Sequence, residues 1–190
     1  MGAALVGQDE RVPTPRLLTS DDWPEAELRA AVLAGELVPV GRCWASPAEP
    51  QVPALRAAAH AWRLSDPRLV ASGRSAAWIW GATSRPPAAD EVSIPPNVRV
   101  RVDADVRLRE VRLDPHDVVL LHGIRVTTPL RTAVDLLRAP GAFDTGALDA
   151  LRGLLAIGAV AEQDLRRRVD ALGTIPMARQ AARRLQRATA

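Results

Sequence analysis

Valine and arginine alternate through the middle of this 190-residue chain. Val98, Val100 and Val102 are interleaved with Arg99 and Arg101, and Val106 and Leu108 with Arg107 and Arg109. A period of two puts apolar side chains on one face of a strand and charges on the other, so these segments need a core to lie against. Val92 and Ile94 alternate ahead of Pro95-Pro96, and the phase slips at Glu110 before Val111 and Leu113, as at a bulge or turn. The run "VVLLHGIRVT" completes the sheet, with His122-Gly123 as a tight turn or bulge.

From residue 128 the period becomes helical. Thr128 caps and Pro129 starts a helix over 129–138 whose buried stripe is Leu130, Ala133, Val134 and Leu137. Thr145 caps a second helix that Gly158 ends, a third runs to Gly173, and a last one starts at Thr174 and buries Met177, Ala178, Ala181 and Leu185. Strands followed by helices predict an α+β fold: a mixed sheet with helices and a helical C-terminal region over about 140–190.

Ahead of the sheet, "LTSDDWPEAELRAAVLAGELVPVGRCWAS" reads as a helix stopped by Gly35 and a short hairpin turning at Gly41-Arg42. Helix then ribbon is the back half of a winged helix-turn-helix. The boundary "PAEPQVP" separates a degenerate winged-helix module at 16–48 from an α+β domain at 52–190. Ala-rich residues 54–65 form a helix. A short buried element then leads to a Ser72 cap and a helix ended by Gly81, in which Trp78 and Trp80 are core anchors and not a stacking platform. The leading "MGAALVGQDERVPTP" lacks a basic n-region and reads as a frayed tail, and no apolar run is long enough for a bilayer, so a cytoplasmic location is expected.

Composition removes several function classes. All 25 basic residues are arginine, which explains a pI near 10.6 at a net charge of only +3. Cys43 is alone, and His60, His116 and His122 share no ligand spacing, so no metal is expected. There is no phosphate-cradling Gly loop with Lys, no G-x-S-x-G and no carboxylate cluster with Lys, so neither catalysis nor a cofactor is expected. Charge is uneven. Residues 1–50 hold eight acids against four arginines, whereas residues 131–190 hold ten arginines against six acids. A polyanion would favour the back of the chain.

Two basic sets are candidates for nucleic acid. Arg29 and Arg42 are the credible phosphate contacts of the helix–hairpin, although its helix carries three Glu and one Arg where a DNA-reading helix is normally basic. In the last helix Arg179, Arg183 and Arg187 recur every four residues with Arg184 beside them, and no acid follows Asp170. That row is either a solvated face or a contact for phosphate or an acidic protein surface. A third set, Arg131, Asp135 and Arg138, shares one face of helix 129–138. It is either a solvent face, worth about 0.3–0.5 kcal/mol per pair, or a polar junction with the sheet.

Three stretches together resemble AbiEi-family antitoxins of type IV toxin–antitoxin systems, in their actinobacterial type. "GELVPVGRCWAS" is similar to the family's wing. "VASGRSAAWIWGA" resembles its Ser-His-x-Ser/Thr-Ala-Ala…Gly segment. "HGIRVTTPLRTAVDLLR" resembles its Gly-x-x-Val-Thr-x-Pro-x-Arg-Thr-x-x-Asp-Leu segment. Arg42, Trp44 and Gly73 stand where the family usually has Gly, Tyr and His. The resemblance implies a winged helix on the operon's own promoter DNA and an α+β domain that supports repression and neutralises a nucleotidyltransferase-like toxin. It implies non-enzymatic action, because the chain is expected to stop before the Vsr-like endonuclease domain of some relatives. It also implies that Thr128, Arg131 and Asp135 form a structural junction.

Overall fold

A computed structural model describes residues 16–189; the leading tail read from the sequence lies outside them. The chain opens with α1 (Glu25–Leu33) and a hairpin of β1 (Val38–Val40) and β2 (Cys43–Ala45). Gly35 at φ +76 ends α1, where Glu36 N–H returns to the Ala31 carbonyl and Gly35 N–H to that of Val32. Leu18 pairs with Trp44 as an isolated bridge alongside β2.

The hairpin does not stand apart from the rest. Val40, Cys43 and Ala45 share one core with Leu55 and Ala59 of α2 (Pro53–Arg63), with Trp78 and Ile79 of α3 (Gly73–Ile79), and with Val126. Trp78 is buried, and Trp80 donates its indole N–H to the Thr127 carbonyl at 2.8 Å.

The main sheet contains β3 (Val70–Ala71), β4 (Asp90–Ile94), β5 (Val106–Glu110), β6 (Val118–Leu121) and β7 (Ile124–Thr127), in the order β5-β4-β3-β7-β6. It is mixed: β3 runs parallel to β7 and β4 to β5, while β3–β4 and β6–β7 are antiparallel. His122 and Gly123 both have positive φ, the requirement of the two-residue turn that joins β6 to β7. Helices α4 (Pro129–Arg138), α5 (Thr145–Ala156), α6 (Glu162–Asp170) and α7 (Ala178–Thr189) follow and pack around Val134, Leu137, Leu151, Leu154, Leu165 and Leu185. The architecture is α+β.

Five local expectations are corrected. Val98, Val100 and Val102 form no strand. Because β4 and β5 are parallel, with Asp90 opposite Val106, the chain must travel back along the sheet between them. The three valines pack against the Leu69, Val92 and Ile94 cluster on the way, without pairing. Asp144, not Thr145, caps α5 and accepts from Ala147 N–H. Ser72 precedes α3 but gives no side-chain cap; Glu91 accepts the Arg74 N–H instead, and Ser72 bonds to Ser93. The last helix starts at Ala178, not Thr174, and Met177 is exposed, because its backbone turns to φ +68 just ahead of α7.

Candidate nucleic-acid interface and polar junction

On α7, burial sorts the arginines. Ala178, Ala181, Leu185 and Ala188 face the core, so Arg179, Arg183 and Arg187 fall on the exposed side. Among the described residues none of the three has a carboxylate within ion-pair distance. Each step of four residues advances about 6 Å along the axis.

Arg184 does something different, which corrects its place in the basic row. It is only 7 % exposed. Its guanidinium donates to the Leu137 carbonyl at 2.9 Å, to that of Ala139 at 2.7 Å and to that of Gly141, and it lies over the Phe143 ring. These carbonyls belong to the end of α4 and the loop beyond it, where a helix leaves its acceptors open. Arg184 therefore ties α7 to α4 and does not face a ligand.

The two N-terminal candidates are also engaged. Arg29 pairs with Glu25 one turn away at 2.6 Å and remains exposed. Arg42, at the hairpin turn, reaches Asp105 at 2.6 Å; Asp105 is held from its other side by Arg63, which also contacts Asp90. Burial pushes the Asp105 carboxyl up, but Arg63 and Arg42 more than offset this and hold it below its ordinary value. Gly41 sits against the Trp78 ring, where an added Cβ would come within 3.0 Å. The turn of the hairpin is thus seated on the body of the protein. A wing that reads a groove projects its tip.

At the end of β7 lies the polar junction. Thr128 Oγ1 accepts the Arg131 N–H at 3.3 Å and caps α4. Arg131 Nε donates to Asp135 Oδ2 at 3.0 Å and its Nη1 to Asp117 Oδ2 at 2.8 Å. Asp117 lies in the 3₁₀ turn that leads into β6, and Arg168 of α6 approaches it at 3.4 Å. Thr127 and Thr132 hydroxyls meet at 2.7 Å beside them. Arg131 and Asp135 are buried, which overturns the solvent-face alternative for them. Burial raises the Asp135 pKa, and Arg131 only partly counters it. Burial likewise opposes the Arg131 charge, but Asp135 and Asp117 raise its pKa overall. Neither Arg131 nor Asp135 lines the surface grooves of about 890 and 550 Å³. Arg138 does not join the pair; its Nε is buried without an acceptor.

Sequence spacing exposes the i, i+4 partner of Arg131 but not Asp117, which is fourteen residues back. The Trp80 and Arg168 contributions are equally silent in the sequence, since they come from other elements.

Cys43 is fully buried, and burial first, then Asp22 and Asp21, push its thiol up to about 11. Among the described residues no group of three His, Cys, Asp or Glu could hold a metal ion, and no helix is long and apolar enough to cross a membrane.

No curated protein matches this chain. A crystal structure of the RV2827C protein from Mycobacterium tuberculosis is similar, with 20 % identity, a TM-score of 0.48, and coverage of 92 % of this chain and 72 % of that one. The model of the AbiEi antitoxin C-terminal domain matches residues 69–186. That stretch is well over half of the chain and includes the sheet, the Arg131–Asp135 junction and the helices behind it. The chain belongs to the AbiEi antitoxin family.

Proposed function

We propose that this antitoxin-like chain is a non-enzymatic, cytoplasmic DNA-binding regulator that holds DNA through α7. The observation that carries this reading is the row of Arg179, Arg183 and Arg187, exposed on one helix face with no acidic partner among the described residues. Cations about 6 Å apart along one axis can each meet a separate phosphate, and such contacts give affinity without sequence preference. Sequence preference would have to come from elsewhere, and the own promoter is the DNA to test first. Residues 16–48 are then a degenerate winged-helix module and residues 52–190 the antitoxin domain. Arg29 and Arg42 contribute little, because each is already paired with a carboxylate.

A gel-shift titration on the DNA upstream of the gene, at two salt concentrations, tests this. The protein shifts the DNA at low salt, and Arg179→Ala/Arg183→Ala/Arg187→Ala lowers the salt slope by roughly 3, about 0.9 for each phosphate released. No shift with micromolar protein at low salt ends the reading. A metal-dependent nuclease assay on the same DNA checks the non-enzymatic part.

One feature favours a second reading, that of a protein-interaction module without DNA binding. The hairpin turn is seated on the body by Gly41–Trp78 packing and the Arg42–Asp105 pair, and α1 presents Glu25 and Glu27 to solvent. A nucleotidyltransferase-like toxin is the partner to test, by co-purification of the two purified proteins after nuclease treatment.

A further inference from the structure

We infer that the free edge of β6 accepts an extended, acidic segment of a partner protein as an added strand. The two edges of the sheet differ in kind. At one edge β5 reads Val-Arg-Leu-Arg-Glu; at the other β6 reads Val-Val-Leu-Leu, with no charge and no proline. Sheets normally guard their edges with charges, prolines or bulges, because an open row of amides recruits another strand. Here β5 is guarded and β6 is not. Leu120 is 74 % exposed.

The ladder shows which groups are open. Thr128 N–H donates to the Asp117 carbonyl, so residues 117 and 128 form a hydrogen-bonded pair. Antiparallel pairs alternate, so 119·126 and 121·124 bond inward, while Val118 and Leu120 turn their backbone groups outward. The Val118 N–H returns to the Pro115 carbonyl. That leaves the Val118 carbonyl and both Leu120 groups without a partner among the described backbone bonds.

The same outward residues border a groove. Val70, Arg125 and Leu120 stand opposite one another across β3, β7 and β6, and so point to one face of the sheet. Together with Pro95, Pro96, Arg112 and Leu113 they line a groove of about 550 Å³. Neither Arg112 nor Arg125 has a carboxylate within ion-pair distance among the described residues, and Asp114, also on the wall, already accepts the His116 N–H. A strand added beside β6 would lie about 10 Å from β7, two strand spacings away, within the combined reach of arginine and glutamate side chains. Its groove-facing positions should therefore be acidic and the alternate ones, on the face that Val119 shares with the buried Val126, apolar. Open edge amides supply affinity in this mode, and the side-chain alternation supplies specificity. A second copy of β6 fits less well, because it would bring no carboxylate to Arg112 and Arg125. The surface is separate from the α7 row.

The experiment uses the full chain, isotope-labelled, and a soluble ten-residue peptide of alternating Glu and Val, with an Arg/Val peptide as control. The Glu/Val peptide should shift the Val118–Leu121 amide signals and slow hydrogen exchange at Leu120. The Arg/Val peptide should not. Arg112→Glu/Arg125→Glu should weaken binding by about tenfold or more, as like charges then face each other; Arg112→Gln/Arg125→Gln serves if charge reversal lowers the melting temperature. Alanine at Arg179, Arg183 and Arg187 should leave peptide binding unchanged. The proposal is overturned by unshifted β6 signals at millimolar peptide, or by equal binding of both peptides. It is also overturned by Leu120 protection that grows with protein concentration alone, which would mean a second copy, or by a single-stranded oligonucleotide that shifts the same signals more strongly.

Discussion

Arg131 and Asp135, one turn apart on α4, form an ion pair 3.0 Å long with side chains only 9 % and 8 % exposed. Asp117, from the turn that leads into β6, completes the set by holding the other side of the Arg131 guanidinium. A buried pair contributes little net stability, but removing one member strands the other charge. The hydrogen bonds of this joint tie α4 to the 3₁₀ turn, so loss of either member of the pair should be costly.

Replacing Asp135 by alanine should destabilise the protein by about 3 kcal/mol, the low end for a broken buried pair because Asp117 still engages Arg131. That corresponds to a fall in melting temperature of roughly 6–12 °C for a chain of this size. Asp149→Ala, on the exposed side of α5, should change it by no more than about 1–2 °C. Equal shifts in thermal denaturation would mean that the joint is not structural.

Arg183 and Arg184 are adjacent yet should behave oppositely. Arg184→Ala removes donors from three carbonyls and should cost about 2–4 kcal/mol, read as a lower denaturant midpoint, with the salt slope of DNA binding unchanged. Arg183→Ala should leave the midpoint within about 0.5 kcal/mol and lower the slope by about 0.9.

Gly153 lies inside α5, where alanine ordinarily gains about 0.8–1.0 kcal/mol of helix propensity. Here a Cβ would come within 1.9 Å of the Ala82 carbonyl oxygen, which is backbone and cannot swing aside. Gly153→Ala should therefore lower the melting temperature. A rise would mean that α5 can shift away from the Ala82 loop.

His60 is buried, with Nδ1 3.6 Å from Asp90 Oδ1. Burial lowers its pKa; Asp90 opposes this and Arg63 adds to it. A histidine depressed in the folded state contributes stability that is full above its unfolded pKa, near 6.5, and is lost as pH falls toward its folded value. Each differential proton is worth up to about 1.4 kcal/mol per pH unit. The melting temperature should drop between pH 7.5 and 5.5, and less so in His60→Gln. Asp135, raised in the folded state, has the opposite sign, so the comparison with His60→Gln isolates the histidine. Parallel curves for the two proteins would remove His60 as the cause.

The bounds of α4, the Gly35 stop, the Gly41-Arg42 and His122-Gly123 turns and most strands were legible in the sequence. Each rests on short-range physics: a residue's direction along a helix or strand, a cap, or a positive φ. The valines at 98–102 carried the same alternation without forming a strand, because strand formation also needs a neighbour to pair with. Their position on the return path between two parallel strands denies them one.

Local patterning in the chain therefore sets where most elements start and stop and which side of each is apolar, the valines at 98–102 excepted. The fate of each arginine is settled by long-range packing. Arg131 and Asp135 look like any exposed i, i+4 pair until α6 and the turn before β6 close over them. Arg184 looks like its neighbour Arg183 until the end of α4 presents its open carbonyls. Periodicity sets the direction in which a guanidinium leaves the backbone. Whether it then meets a carboxylate, a carbonyl or water depends on chain segments tens of residues away, brought there by packing of the core.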